Sequence, residues 1–206
     1  MSHLPIDLPP AQAERLTQAV DPERKLVRAL DALGPVAGRD VLVVDASGSW
    51  ISAGLADLGA TLAEVPLTEP LRLEAPDASA DAVVTLWSGF RGVIAEELAE
   101  VDRVLRPGGR LLVVHDYGRD DVSRLRGDVP EYGLWGRRDG PFLRGGFRIR
   151  VLHCWWTFES LDDVRDFLGD AFGEVGVAVG AGLKRPRLSW NVAVYHRTRS
   201  GAEGAS

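Results

Sequence analysis

Three polar residues, His115-Asp116-Tyr117, follow directly on the apolar run Leu111-Leu112-Val113-Val114. Polar groups at the carboxyl end of a buried parallel strand are where α/β sheets bind ligands. In that setting His115 can act as a general base, Asp116 can orient it or bind substrate, and Tyr117 can serve as an acid or positioning group. The structural alternative is that Asp116 and Asp120 cap the next helix while His115 makes a local hydrogen bond. A second polar stretch, Asp45-Ala46-Ser47-Gly48-Ser49, follows the apolar run Val41–Val44. Small residues there let a backbone approach a ligand closely, whereas a bare helix-capping turn needs the same residue types.

The elements that must hold these groups can be read from periodicity. Residues 81–114, DAVVTLWSGFRGVIAEELAEVDRVLRPGGRLLVV, contain a strand over Ala82–Trp87, a helix, a turn and the strand Leu111–Val114. Both strand runs lack polar breaks, as expected for strands covered on both faces. Between them Ile94, Leu98, Val101 and Leu105 recur at helical spacing, with Glu96, Glu97, Glu100 and Asp102 assigned to the water side. Arg103 and Arg106 suit the carboxyl end of the helix dipole, and Pro107-Gly108-Gly109 stops the helix. The unit reads as a βαβ crossover, right-handed by rule.

DAVV followed by ELAEVDRVLRPGGRLLVV resembles the second half of class I S-adenosylmethionine-dependent methyltransferases of the quinone-biosynthesis type. The resemblance covers about residues 36–115 well and implies a three-layer, doubly wound, mostly parallel α/β sheet whose last strand is inserted antiparallel. Leads and ends follow from it: a helical lead-in over 1–35, a methyltransferase-like domain over 36–199, and a polar tail over 200–206. The implied cofactor is S-adenosylmethionine, and the implied reaction is methyl transfer to a small molecule. The competing class is a member of the fold that has lost catalysis and acts as a binding, regulatory or partner subunit. A nicotinamide dehydrogenase is disfavoured because no G-x-G-x-x-G follows Val44.

The family's glycine loop, V-L-D-x-G-x-G-x-G, is altered. With Gly59-Ala60 fixing the register, the three glycines become Asp45, Ser47 and Ser49, and the preceding acid becomes Val43. The acid that binds the ribose hydroxyls falls at Pro66, leaving Glu64, on the same strand face, as a displaced substitute. Trp87 and Ser88, at the end of the 82–87 strand, complete the implied cofactor-binding set of Asp45, Ser47, Ser49, Glu64, Trp87 and Ser88. Only Thr68–Ala80 lies between the second and third strands, too little for the usual helix, strand and loop, so Leu71-Arg72-Leu73 is expected as a stub strand or loop.

The rest of the chain is assigned in the same way. A helix is predicted over Ala11–Ala19, and a second opening at Asp21-Pro22 with Leu26, Ala29, Leu30 and Leu33 inward. A strand over Val41–Val44, a helix to Leu58 and a strand over Thr61–Val65 follow. Phe147–Phe158 is a strand with Phe147, Ile149, Val151, His153 and Trp155 on one face, His153 being a core residue there. Ser160 and Asp163 form a capping box for a helix over Leu161–Phe172. SWNVAVYH is the last strand. Tyr132, Trp135, Trp155, Trp156 and Trp190 can roof an apolar pocket or fill the core.

Of the chain's 206 residues, one is cysteine, which excludes an internal disulfide and a cysteine-rich metal cluster. No metal site is expected. No apolar run approaches the roughly 18 residues of a membrane helix, and MSHLPIDLPP lacks the pattern of a secretory signal. A soluble cytoplasmic protein is the expectation. The net charge of −6 is uneven: residues 1–102 hold 7 Lys and Arg against 17 Asp and Glu, whereas 103–206 hold 17 against 13. The clusters Arg137, Arg138, Arg144, Arg148, Arg150 and Lys184, Arg185, Arg187, Arg197, Arg199 can steer an anionic small substrate or simply form a solvated surface. Nucleic acid is disfavoured, since no stacking aromatics are interleaved. A homo-oligomer or a protein partner stays open.

Overall fold

The computed structural model describes residues 6, 8–45, 49–127 and 129–200. Ser47, one of the implied cofactor contacts, and 201–206 of the polar tail lie outside the described residues. Helices α1 (Pro10–Ala19) and α2 (Lys25–Leu33) lead into β1 (Asp40–Val44), α3 (Trp50–Asp57), β2 (Thr61–Val65), β3 (Ala80–Leu86), α4 (Ala95–Val104) and β4 (Leu105–Asp116). Then follow α5 (Asp121–Arg126), α6 (Pro130–Trp135), α7 (Pro141–Arg144), β5 (Arg148–Thr157), α8 (Leu161–Gly182) and β6 (Arg187–Thr198). The sheet order is β2-β1-β3-β4-β6-β5. The first four of these strands are parallel, while β6 runs antiparallel to both β4 and β5.

Alternation along the strands builds two cores, one on each sheet face. Val41, Val43, Val84, Leu112 and Val114 pack with residues of α1, α2, α3 and α8, including Leu16, Leu30, Leu55 and Phe167. Leu42, Val44, Val83, Leu111 and Val113 pack with Val101 and Val104 of α4, Trp135 of α6 and Phe142 of α7. Each fully buried side chain of this size contributes about 1.5–3 kcal/mol. The result is the helix–sheet–helix layering expected from the sequence.

The interval between β2 and β3 contains no helix or strand, as its length requires. It is a loop whose Leu71 and Leu73 are buried. Arg103 of α4 pins it, donating to the carbonyls of Leu73 and Ala75 at 2.9 Å and to Asp77 at 2.7 Å. Glu100 does not face water as its helical position implied. It is buried and accepts from Leu73 N at 2.8 Å, and the Arg103 hydrogen bonds hold its carboxyl down at about 2. Ile94, assigned to the inward stripe, is instead 52% exposed ahead of the first turn.

Two further expectations are corrected. Helix α2 starts at Lys25, not after Asp21, because Asp21 takes φ 44° and the chain turns through Arg24, also left-handed, before entering the helix. The Asp21 carboxylate still caps, accepting from Leu26 N at 2.8 Å. In β5 the inward face is Leu152, Cys154 and Trp156, while His153 is exposed and bonds Asn191 through Nδ1. Helices α1 and α2 pack against β5 and cover that face, whereas Trp155 lies outward beneath the Arg187 guanidinium.

Ser160 caps α8 as expected, its Oγ accepting from Asp163 N, while Asp163 Oδ2 reaches back one residue further than a capping box requires and accepts from Glu159 N. Helix α8 breaks at Gly173 (φ 57°) and doubles back closely enough that a Cβ on Gly176 would sit 1.9 Å from the Leu168 carbonyl oxygen. Gly176→Ala is therefore expected to lose about 2–3 kcal/mol in urea unfolding, since the obstacle is backbone and cannot swing aside.

Candidate functional site at the strand tips

From β1 the chain crosses to β2 on one side, then returns to β3 on the other, so the direction of winding reverses between β1 and β3. A crevice opens at such a switch point, beyond the carboxyl ends of the strands. Asp45 leaves β1 there with φ 54°, a left-handed conformation that favours glycine, and its N–H donates to the Val65 carbonyl at 2.9 Å. Asp45, the position that the sequence resemblance aligns with a glycine, has a glycine-like backbone here. Val44 pairs with Thr85, so Asp45 emerges beside the end of β3, where Trp87 and Ser88 follow. Trp87 is also left-handed, at φ 57°. Among the described residues, Thr85 Oγ1, Ser88 Oγ and the Nε1 of Trp50 at the start of α3 are buried here without a hydrogen-bond partner. Buried polar groups are ordinarily satisfied, so orphaned atoms around a crevice mark places where a ligand supplies the missing partner.

The other implied contacts fall differently. Ser49 is the cap of α3: its hydroxyl accepts from Ser52 N at 3.0 Å and it is buried. Glu64 lies on β2 level with Val43, one residue short of the strand tips, and is exposed.

At the tip of β4, Asp116 is buried within a ring of donors. The indole N–H groups of Trp87 (3.2 Å) and Trp190 (2.9 Å) donate to its Oδ1, and the Tyr132 hydroxyl (3.2 Å) and the Arg126 guanidinium donate to its Oδ2. Burial pushes its carboxyl up, while Arg126 and the two indoles pull it back. Among the described residues its hydrogen-bond partners are four donors and no acceptor, which is the pattern an ionised carboxylate satisfies. Asp116 therefore joins Trp87, on the switch-point side, to Tyr132 on the far side, and Trp87 stacks on Trp190 at 5.8 Å. Burial, and then the Asp116 charge, raise the Tyr132 hydroxyl to about 12, so it stays protonated and donates.

His115 points to the opposite sheet face. It is buried against Trp135 (ring centroids 4.5 Å apart) and Phe142 (6.0 Å), it is hydrogen-bonded to the Gly89 backbone, and among the described residues its Nε2 has no partner. Burial, reinforced by the Arg91 charge, lowers its pKa to about 3 and keeps the imidazole neutral. Of the two caps weighed for the following helix, Asp120 is the one that forms, accepting from Ser123 N at 2.8 Å.

Tyr117 faces outward into a cavity of about 420 Å³ lined by Tyr117, Gly118, Arg119, Tyr132, Gly133 and Arg137, with Val129 and Gly136 completing the wall. Of the five aromatics considered as a roof, Tyr132 lines this cavity, while Trp135, Trp156 and Trp190 are core. Sequence reading did not single out Arg126 or Arg119; Arg137 stood out only as one member of a basic cluster. Among the described residues no group of three His, Cys, Asp or Glu side chains converges as a metal site. Nor is any helix among them long and apolar enough to cross a membrane.

No family profile matches the chain. A curated relative, the ubiquinone/menaquinone biosynthesis C-methyltransferase UbiE of Caulobacter sp. (strain K31), is 32% identical over 114 residues, covering 50% of this chain and 44% of the relative. The match thus spans less than half of that enzyme's length. A structure from Anaeromyxobacter dehalogenans described as a type II methyltransferase superposes with a TM-score of 0.53 at 20% identity, covering 86% of this chain and 97% of its own. The fold is that of the class I methyltransferases. A structure from Anabaena variabilis ATCC 29413 described as a methyltransferase of an antibiotic biosynthesis pathway agrees in fold, with a TM-score of 0.50, 14% identity and coverage of 88% and 99%.

Proposed function

We propose that this chain is an S-adenosylmethionine-dependent methyltransferase acting on a small molecule, with the cofactor across the tips of β1 and β3. The observation that carries the reading is Asp45: its backbone holds the glycine-like conformation at the switch point although the glycine itself is gone. Asp45, Trp87 and Ser88 would hold the cofactor, the Asp45 carboxylate pairing with its amino group and the unpartnered Ser88 hydroxyl bonding a polar edge. When bound, the cofactor supplies an electrophilic methyl group on a sulfonium.

The chain's own residues then do the positioning. Asp116 fixes Trp87 and Tyr132 relative to one another, so the two walls of the site are held by one buried carboxylate. Tyr117 and Tyr132 hold the acceptor in the cavity at the tip of β4, and proximity supplies most of the acceleration. The Tyr132 hydroxyl donates rather than takes a proton. His115, buried and neutral with its pKa near 3, is a weak base and serves the site by packing beneath it. The molecule works as a cytoplasmic enzyme, and helices α1 and α2 serve as a lead-in to the catalytic domain.

S-adenosylhomocysteine at about a hundred times its dissociation constant should stabilise the protein by about 2.7 kcal/mol in thermal unfolding. Ser88→Trp, which places a bulky ring at the tip of β3, should abolish that shift. Equal shifts in both proteins would remove the cofactor from the β1–β3 crevice, and no shift in the parent protein would favour the non-catalytic reading.

A further inference from the structure

We infer that the methyl acceptor is an acidic aromatic molecule, its ring lying along Tyr117 and Tyr132 and its carboxylate held by Arg119 and Arg137. The inference rests on the methyltransferase reading for the word acceptor, and on the cavity alone for the word acidic. Both arginines line the cavity, both are exposed at its rim, and among the described residues neither guanidinium has an acidic partner or a side-chain hydrogen bond. Their neighbours differ: Arg91 pairs with Glu131, Arg124 with Asp121 and Arg126 with Asp116. Glu131, Asp121 and Asp116 are thus engaged elsewhere, Asp120 caps α5, and two positive charges line an opening that holds a molecule of small-ligand size. A planar guanidinium binds a carboxylate through paired hydrogen bonds, and the tyrosine rings offer a flat apolar wall. Glycines keep that wall open. A Cβ at Gly118 would meet the Tyr132 ring at 3.2 Å and one at Gly136 the Tyr117 ring at 3.3 Å, so larger residues there would displace the rings. A Cβ at Gly133 meets nothing within 4 Å, so that position looks onto open space.

The test is calorimetric titration of the full chain with 3,4-dihydroxybenzoate and with its methyl ester, each with and without S-adenosylhomocysteine. The acid should bind about tenfold more tightly than the neutral ester, and Arg119→Gln or Arg137→Gln should each remove most of that advantage. Gly133→Phe, which introduces no clash at Cβ, should abolish binding of both while leaving S-adenosylhomocysteine affinity unchanged. Equal affinity for acid and ester, an unaltered preference in the arginine double variant, or no binding of the acid at millimolar concentration would overturn the inference. Binding of the acid without any binding of S-adenosylhomocysteine would keep the anion site and sink the methyltransferase reading. The reverse result would do the opposite.

Discussion

Asp116→Ala is expected to destabilise the protein by about 3–5 kcal/mol in urea unfolding. The reason is not the loss of one good contact. Removing the carboxylate strands the Arg126 guanidinium, two indole N–H groups and the Tyr132 hydroxyl, all aimed at a space that no longer holds an acceptor. Asp116→Asn keeps the shape and one acceptor oxygen, and should lose about half as much. In Asp116→Ala/Arg126→Met the buried charge is gone with its partner, so the double variant should lose less than the two singles together. A loss below about 1 kcal/mol in Asp116→Ala would mean that the ring of donors is satisfied by other means.

The second large effect is a pH dependence. His115 titrates near 3 in the folded chain and near 6.5 when unfolded. Between those values the unfolded chain binds a proton that the folded chain refuses. The stability associated with a neutral His115 is therefore complete above about pH 6.5 and drains away as pH falls, by about 1.4 kcal/mol per unit. From about pH 7 to about pH 5 the parent protein should lose about 2 kcal/mol from this source. Asp21 and Asp116, whose carboxyls burial pushes upward, contribute with the opposite sign, holding protons in the folded state that the unfolded chain gives up as pH rises. The difference between the parent and His115→Leu isolates the histidine, because the two carboxyls are common to both. The stability of His115→Leu should fall less over that interval; parallel curves would show that the imidazole is protonated in place.

These two residues stand side by side in the sequence, and their separate fates explain how far the chain could be read. That the polar triplet ends a buried strand was legible, since Leu111–Val114 has no polar break. Successive residues of a strand face opposite ways, so Asp116 and His115 were bound to enter different environments. Which environment each entered depended on Trp190, Tyr132, Trp135 and Phe142, whose positions relative to β4 come from long-range packing and carry no local signal. The same distinction runs through the rest of the fold. β2 was read to the residue because its start is set by the Gly59 turn and its end by Pro66. The faces of β5 were not, because FRIRVLHCWWTF carries apolar residues on both, and only the helices stacked against it decide which is inside. Glu100 sits on a helical position that normally meets water, and it is buried because the shortened β2–β3 loop folds over it and leaves Leu73 N in need of an acceptor. The altered glycine loop showed in the sequence as a departure, while the left-handed backbone that Asp45 retains there could only come from the structure.

That retained backbone is the centre of the functional reading, and calorimetric titration with S-adenosylmethionine and S-adenosylhomocysteine tests it most directly. One molecule of either should bind per chain with a micromolar dissociation constant, and Ser88→Trp should remove the binding without unfolding the protein. No detectable heat at millimolar ligand, in protein shown to be folded, would contradict it.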